Sequence, residues 1–356
     1  MRVDAAELAA RIAERAHARA SWIVPAAHVP DLLAKLGLIG RSDRLVVFAD
    51  DFTDAFLARF PRASLAFAAT PTPEDFRAAE ERVLGLPDVA EGTPASYAHA
   101  PGLAAERTFW FVNSIGGRGL RVPDLRALAR AAAASGTILM VDNTVASFFA
   151  CRPLALGAQV SFEALDRVAA GALSQKAVAV SVAPAVTGRG RRRRVDPLAE
   201  EAHRLLTMRL AAGSCALSDE DLARVAEGLD TLDARMQAHM DNARVIASYL
   251  ACHHGVEAVA YPGLDGHPDR ALAAGVLEHG FGPAVDFTAP VAAGRFLTAT
   301  PAAGRDAVAG GVRTRMSALA GDDSRLIRLF AGLDDPLAIV DSLDQALRLF
   351  CNPPEP

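Results

Sequence analysis

Asp142 has the clearest potential for chemistry, because it follows directly on an apolar stretch of the chain. Residues 138–141 form that stretch, and Asn143 and Thr144 follow the carboxylate. An apolar run of this length predicts a buried strand, and open sheets of parallel strands bind ligands at the carboxyl ends of the strands. We therefore interpret Asp142 as a candidate ligand-binding residue. A turn former or helix cap is the alternative, since aspartate is common at both.

Lysine is scarce, and this limits any chemistry that requires a free amine. Two of the 37 basic residues are lysines, Lys35 and Lys176, and the others are arginines. A Schiff base with a carbonyl compound needs a lysine amine, so these two residues are the candidates for such a step.

Several other kinds of site are not found in the sequence. The glycine-rich turn Gly116–Gly119 lacks the G-x-G-x-x-G pattern of dinucleotide sites. The patterns of P-loops, nucleophile elbows and HExxH zinc proteases do not occur either. His239 lies on the apolar seam of a helix without a second ligand at metal-binding spacing. We expect His239 to be a hydrogen-bonded core residue, and we expect no metal site.

The composition indicates a globular, reduced, cytoplasmic protein. A net charge of −5 argues against nucleic acid as a partner, and 51% hydrophobic residues provide a sizeable core. No apolar run reaches the roughly 18 residues that cross a membrane. The four cysteines lie far apart, and the first residues do not resemble a signal peptide. One basic segment, Arg189–Arg194, is interpreted as a surface insertion, with binding of phosphate or an acidic partner as the alternative.

Apolar strands alternate with helices over the first half of the chain, which predicts a mostly parallel sheet with helices on both faces. We expect strands at 44–50, 108–114, 138–142 and 177–182, and helices at 4–20, 30–36, 73–84 and 123–134. A long helix begins after Ser218 and carries an apolar stripe from Leu222 to Leu250. Strands at 256–261, 284–288 and 326–330 and helices at 268–279 and 334–350 then predict a smaller α+β domain.

Five groups of residues carry a family resemblance. They are Leu120–Leu125; Val141–Thr144 with Arg152–Ala158; Gly228–Leu232 with Arg235-Met236 and Asn242-Ala243; Tyr261–Leu264 with His267-Pro268; and Arg325–Asp335 with Leu343–Leu347. In this order they resemble the transsulfuration group of fold-type-I pyridoxal-phosphate (PLP) enzymes, which includes cystathionine γ-synthase, cystathionine β-lyase and methionine γ-lyase. The resemblance is best from about residue 106 to residue 350.

The resemblance implies an aspartate-aminotransferase-like fold. It implies a PLP-transferase large domain at residues 1–240, trimmed at its N-terminus, and a small α+β domain at residues 241–356. It also implies pyridoxal 5'-phosphate as the cofactor, with Asp142 on the pyridine nitrogen and Arg328 on the substrate carboxylate. The implied activity is that of a lyase or transferase acting on sulfur-containing amino acids.

The family's Schiff-base lysine has no counterpart in this sequence. In the family it ends a Ser-x-Thr-Lys sequence 25 positions after the aspartate, and here that place is taken by Ala164-Leu-Asp-Arg167. A guanidinium stays protonated and cannot form an imine, so Arg167 cannot replace the lysine chemically. Ala164 removes one phosphate-binding hydroxyl, and Asp166 replaces the other with a negative charge.

Other departures from the family pattern point the same way. Gly117 stands for the asparagine beside the cofactor, and Phe52-Thr53 stands where a ring-stacking tyrosine is expected. The phosphate-capping segment corresponds to about Val24–Ala27, where Pro25 has no amide hydrogen. The segment 300–319 lacks the family's Ser-Leu-Gly pattern.

These observations favour a degenerate homologue without Schiff-base chemistry that serves as a scaffold, a partner subunit or a binder of a small acid through Arg328. The alternative is an active PLP-dependent lyase or synthase that uses a repositioned amine, and a third hypothesis is different chemistry in the same cleft. The resembling enzymes associate, and the stripe from Leu222 to Leu250 is apolar enough to be buried, in part within its own subunit. We therefore expect a homodimer, or a heterodimer with an intact paralogue.

Overall fold

The computed structural model of the chain describes residues 3–40, 43–51, 60, 64–85, 107–169, 173–187, 194–210, 217–300, 304, 311–319 and 324–351. The helices are α1 (Ala5–Ala16), α2 (Val29–Leu36), α3 (Pro73–Gly85), α4 (Leu125–Ala134), α5 (Ser147–Ala150), α6 (Pro197–Leu210), α7 (Asp219–Cys252), α8 (Arg270–Val276), α9 (Ala293–Thr298) and α10 (Pro336–Cys351). The strands of the first sheet are β1 (Ala20–Pro25), β2 (Arg44–Phe48), β3 (Ser64–Ala68), β4 (Thr108–Asn113), β5 (Ile138–Asp142), β6 (Val160–Ala164) and β7 (Ala177–Val182). A hairpin pairs β8 (Val186–Thr187) with β9 (Arg194–Val195), and the last sheet contains β10 (Val259–Ala260), β11 (Ala284–Thr288), β12 (Arg315–Ala318) and β13 (Leu326–Phe330).

The large sheet is mostly parallel, as predicted. Its seven strands lie in the order β1-β7-β6-β5-β4-β2-β3. Five neighbouring strands run parallel, namely β6, β5, β4, β2 and β3. Strand β7 is antiparallel to both β6 and β1. The carboxyl ends of β4, β5 and β6 therefore meet at one edge of the sheet. This edge brings Asn113, Asp142 and Ala164 together.

Helices cover both faces of this sheet because each strand has apolar side chains on both sides. In β4, Trp110 packs among buried residues of α3 and α4, whereas Phe111 packs among residues of α2 and α6 on the other face. Alternate residues of a strand point to opposite faces, so the continuous apolar run Phe109–Val112 fits a strand with both faces buried.

The long helix predicted after Ser218 is present as α7, and at 1.5 Å per residue it is about 50 Å long. Ser218 caps its N-terminus and accepts a hydrogen bond from the Asp221 amide at 3.1 Å. The first half of its apolar stripe packs against α1, and the second half packs in the C-terminal core with β11, β13 and α10. The boundary predicted between residues 240 and 241 falls inside this helix.

The small C-terminal sheet is antiparallel, with the order β10-β11-β13-β12. Strands β11 and β13 have the predicted bounds. The strand predicted over 256–261 is shorter and is reduced to β10. The sequence interpretation did not include β12 or α9, which are four and six residues long and therefore carry a weak periodic signal.

The helix predicted over 4–20 is wrong at its C-terminal end. Helix α1 ends at Ala16, because His17 adopts a left-handed conformation with φ of 55° and its amide caps the helix. Strand β1 then begins at Ala20 and pairs along its whole length with β7. Val24 and Pro25, expected in a phosphate-capping segment, are the last residues of this strand.

Two further predictions fall outside the described part of the chain. Phe52-Thr53 lies there, and so does most of the basic segment, of which Arg194 in β9 is described and exposed. Among the described residues, no helix combines the length and the hydropathy needed to cross a membrane.

Candidate active-site cleft

A cavity of about 170 Å³ lies at the carboxyl edge of β4, β5 and β6. Its lining comes from strand ends, from the start of α2 and from the C-terminal sheet. The polar lining residues are His28, Asn113, Asp142, Thr144 and Arg167, and Ala164 and Phe330 are among the apolar ones. The structure therefore places three of the sequence-predicted site residues, Asp142, Ala164 and Arg167, on one cavity.

Asp142 forms the turn that the sequence allowed and also lines the cavity, whereas its binding of a ligand stays a prediction. It closes a turn by accepting a hydrogen bond from the Thr144 amide at 2.9 Å, and it lines the cavity. Burial raises the pKa of Asp142 to about 6, against the opposing effects of Thr144 and of the nearby Arg167 charge. A carboxyl group with this pKa can accept or release a proton near neutral pH.

Arg167 lies in a π-helical turn, Leu165–Ala169, directly after β6. Its backbone has φ −92° and ψ −106°, which is not helical and interrupts the turn. The Arg167 side chain is 16% exposed, and its Nε lies 3.7 Å from Asp166 Oδ2. π-Helical turns are rare and occur frequently at functional sites. The residue at the family's lysine position thus does project into the cleft, as a cation.

Neither lysine of the chain reaches this cleft. Both belong to the described residues, and neither lines the cavity. Lys35 lies on α2 with 61% of its side chain exposed, and its Nζ pairs with Asp31 at 2.8 Å. Lys176 precedes β7 and is exposed.

The segment that corresponds to the family's phosphate-binding residues has few donors for an anion. The Ala164 amide already donates to Thr144 Oγ1 at 3.0 Å. Asp166 is buried, and its Oδ1 has no hydrogen-bond partner among the described residues. A buried carboxylate at this place repels a phosphate group.

Two further carboxyl groups, each with a buried oxygen atom, lie near this edge of the sheet, and the sequence interpretation did not include them. Asp51 follows β2 and accepts a hydrogen bond from the Asn113 amide at 2.9 Å, and burial raises its pKa to about 7. Burial likewise raises the pKa of Glu163 in β6 well above its ordinary value. A weaker signal for Asp51 was available, because it lies three residues beyond the buried strand β2, whereas Asp142 is the last residue of β5.

Buried oxygen atoms without a partner are the common feature of this region. Within the described part of the chain they include Asp51 Oδ1, Asn113 Oδ1, Glu163 Oε1 and Asp166 Oδ1. Buried polar atoms are normally hydrogen-bonded, so these positions fit donors supplied by water or by a ligand. Among the described residues, however, no group of three or more His, Cys, Asp or Glu side chains is arranged to hold a metal ion.

Arg328 lies beside the cleft but is engaged within the chain. Its Nε and Nη2 donate to the two carboxylate oxygens of Asp286, both at 2.7 Å, and Nη2 also donates to the Gly117 carbonyl at 2.6 Å. The binding of a substrate carboxylate that the resemblance implies for Arg328 would require displacement of Asp286. No pattern in the sequence indicates this partner, because the pair depends on the register of β11 with β13. His239, by contrast, is the hydrogen-bonded core residue that was predicted, with Nδ1 2.8 Å from the Ala331 carbonyl oxygen.

Comparison with known proteins connects this cleft to one family. A family model described as Cys/Met metabolism PLP-dependent enzyme matches residues 99–295. The chain is 30% identical to the O-succinylhomoserine sulfhydrylase of Pseudomonas aeruginosa over 244 residues, which are 64% of this chain and 56% of that protein. It is 34% identical to the chloroplastic mimosinase of Mimosa pudica over 153 residues, which are 43% of this chain and 31% of that protein. The matched regions thus cover less than two thirds of these relatives.

Solved structures resemble nearly the whole chain. The structure of apo methionine gamma lyase from Micromonospora echinospora superposes with a TM-score of 0.76 at 26% identity, covering 96% of this chain and 85% of that one. A cystathionine gamma synthase from Xanthomonas oryzae pv. oryzae superposes with the same TM-score at 24% identity, covering 96% and 84%. The second likeness concerns the fold alone.

Proposed function

Because the chain belongs to the family of Cys/Met metabolism PLP-dependent enzymes, we propose that it is a member that no longer attaches the cofactor through a lysine. It then serves as a binding or partner subunit built on the enzyme fold. The family's cofactor is pyridoxal phosphate, and the residues of this cleft do not fit that group as a covalently held cofactor.

The observation that carries the proposal is the identity of the cation in the cleft. Arg167 lines the cavity, whereas Lys35 and Lys176 lie outside it. A Schiff base requires an amine that can lose its proton, and a guanidinium does not lose its proton at physiological pH. Arg167 can form ion pairs and hydrogen bonds, but it cannot take over the lysine's covalent role.

The segment that corresponds to the family's phosphate-binding residues supports the same proposal. Ala164 provides no side-chain donor, its amide is already bonded to Thr144, and the buried Asp166 places a negative charge where a phosphate would lie. Asp142 is the one family feature that remains suited to a pyridine nitrogen. A single ionic contact does not offset the loss of the covalent bond and of the phosphate site.

The remaining polarity of the cleft indicates what kind of ligand it takes. Among the residues that line the cavity, Asn113 has a buried side-chain oxygen without a partner, and Asp142 adds a carboxyl group. A small ligand with an ammonium or several N–H donors satisfies such a site. We therefore propose a small amine or an amino-acid-like compound as the ligand, held through its nitrogen.

Borohydride trapping tests the proposal. The purified protein is incubated with PLP, reduced with borohydride, digested and examined by mass spectrometry, with absorbance spectra recorded before reduction. We expect no aldimine absorption band and no stoichiometric pyridoxyl adduct. Variants Lys35→Arg and Lys176→Arg identify adventitious labelling of exposed amines. A stoichiometric adduct on Lys176 or Lys35 that is accompanied by the absorption band would overturn the proposal.

An active PLP-dependent lyase or synthase is the second candidate. Its support is the retained Asp142, with a pKa of about 6, in a cleft of the family's architecture. In that case an amine must reach the cleft by a route other than residue 167. The same trapping experiment distinguishes the two candidates, because only the active enzyme gives the adduct and turns over cystathionine.

A further inference from the structure

Arg328 and Asp286 form a closed pair on neighbouring strands of the C-terminal sheet. The two residues are directly opposite each other in the register of β11 and β13. Two parallel hydrogen bonds of 2.7 Å join Nε and Nη2 of Arg328 to the two carboxylate oxygens of Asp286. This is the arrangement in which a guanidinium binds a free carboxylate most strongly. Asp286 is 1% exposed, whereas 15% of the Arg328 side chain is exposed.

The pair also holds the glycine-rich turn that borders the cleft. Arg328 Nη2 donates to the Gly117 carbonyl at 2.6 Å, and the Gly119 amide donates to Asp286 Oδ2 at 2.9 Å. Gly117 and Gly119 have φ of +60° and +77°. A Cβ at Gly117 would lie 2.5 Å from the Phe48 ring, so this turn requires glycine at that place. The Asp286 carboxylate thus connects the C-terminal sheet to the glycine-rich turn at the edge of the large sheet, both directly and through Arg328.

A carboxylate ligand could reach the guanidinium fork only by displacing Asp286. That displacement would leave a buried aspartate without its cation, which is strongly unfavourable. We propose that Asp286 is a specificity-determining residue: an internal carboxylate that occupies Arg328, excludes small carboxylate ligands from it and fastens the glycine turn to the C-terminal sheet. This inference does not depend on whether PLP binds, because it concerns the Arg328 guanidinium alone.

Rescue by acetate tests the inference. The variant Asp286→Asn keeps the side-chain shape but removes the charge that engages Arg328. We expect its thermal midpoint to be lower than that of the wild type and to rise with the logarithm of acetate concentration, since a ligand that binds only the folded state stabilises it by mass action. Sodium chloride at equal ionic strength serves as the reference. The wild type is expected to show no such acetate-specific rise.

The double variant Asp286→Asn/Arg328→Gln is the matched control. It lacks the guanidinium, so acetate should not raise its thermal midpoint above the chloride reference. An acetate effect of equal size in the single and double variants contradicts the proposal, and so does an Asp286→Asn variant that folds but does not respond.

A measurement on the wild type keeps the inference testable if Asp286→Asn does not fold. Titration with ¹³C-labelled acetate, followed by NMR, is expected to show no saturable binding that depends on Arg328. Saturable binding to the wild type that disappears in Arg328→Gln would show that the guanidinium is open to carboxylates, and it would overturn the proposal. The borohydride experiment detects pyridoxyl adducts on lysines, whereas the acetate experiments detect carboxylate binding at Arg328. Failure of the proposed function and failure of this inference are therefore recognised separately.

Discussion

Arg167 occupies the cleft position at which the family places its lysine. The residues around it determine whether a lysine at this position would be enough for lyase activity. Ala164 and Asp166 precede it, and the Gly117 turn follows β4 at the same edge of the sheet. A restored amine can in principle form an imine, but the phosphate site and the polar contacts of the cofactor are still missing.

We therefore predict that Arg167→Lys alone does not create lyase activity. The measurement is the release of ammonia or thiol from cystathionine in the presence of PLP. The triple variant Ala164→Ser/Asp166→Thr/Arg167→Lys, which restores the Ser-x-Thr-Lys sequence, should bind PLP more tightly than the single variant, as judged by the aldimine absorption band. Measurable turnover by Arg167→Lys alone would show that the cleft is less altered than proposed.

Asp51 makes the free energy of unfolding depend on pH. Its pKa is about 7 in the folded protein, against 3.8 for an ordinary aspartate, because burial disfavours the charged form. Below pH 4 the carboxyl is protonated in both states. As the pH rises from about 4 to about 7 only the unfolded state loses its proton, so the free energy of unfolding falls by an amount of the order of 4 kcal/mol. Above about pH 7 the fall is complete.

Asp51→Asn removes this titration while its amide oxygen can still accept from the Asn113 amide. We predict that the variant gains stability relative to the wild type as the pH rises from 4.5 to 8, measured by urea denaturation across that range. Asp50→Asn, at the exposed neighbouring position, is the control and should show no such trend. A difference between Asp51→Asn and the wild type that does not change with pH would refute the assigned pKa.

At the scale of elements, the N-terminus of α7 depends on one buried carboxylate. Asp221 accepts from the Ser174 amide at 2.8 Å, from Ser174 Oγ at 2.5 Å and from the Gln175 amide at 3.1 Å. The Ser174 side chain is the main reason that the pKa of Asp221 is lowered. These bonds join the start of α7 to the segment that leads into β7.

We predict that Asp221→Ala costs about 2–3 kcal/mol of unfolding free energy at pH 7, as expected for hydrogen bonds to a charged group. Because the folded pKa is lowered, this contribution is present above about pH 4 and disappears as the pH falls through the folded pKa. Asp230→Ala is the control on the same helix: its side chain is 68% exposed and pairs with Arg11, so its loss should cost less than about 1 kcal/mol. Equal costs for the two variants would contradict the assignment.

The elements that sequence reasoning predicted are those with strong, unbroken patterns. Strands β5, β7, β11 and β13 have the predicted bounds because each is a short apolar run between polar or glycine-rich segments. Strand β1 was missed because the change from helix to strand depends on the left-handed His17, for which the residue type gives little warning. The Asp286–Arg328 pair depends on cross-strand register, and no pattern within a single strand contains that information.

The same distinction holds for the cleft. Asp142, Ala164 and Arg167 could be predicted because they lie near strand ends and match family motifs. Asp51 lies three residues beyond the end of β2, and without a matching motif it was not singled out. The partner of Arg328 could be identified only once β11 and β13 had been paired in register within the C-terminal sheet.

For the whole molecule, the apolar stripe of α7 on which the expectation of association was partly based is buried within its own chain. Its members from Leu222 to Leu250 are buried by α1, β11, β13 and α10 of the same chain. The stripe therefore cannot itself form the main contact with a second subunit. Exposed apolar side chains on other surfaces include Val186 and Val195, which face each other across the β8–β9 hairpin.

We still predict association, now through surfaces other than the stripe. The proposed partner is a second copy of this chain or an intact paralogue, and an interface of roughly 2,000 Å² or more is expected, as in obligate complexes. Analytical ultracentrifugation of the purified chain at micromolar concentration tests the first form, which requires a dimer. Coexpression with an active transsulfuration enzyme and copurification through a tag on one chain tests the second. A mixed dimer should also show a weaker PLP absorption per dimer than a homodimer of the active enzyme, because only one of its two chains contributes a lysine. A monomer that copurifies with no such enzyme would exclude both forms and would leave the small-ligand role of the cleft as the surviving proposal.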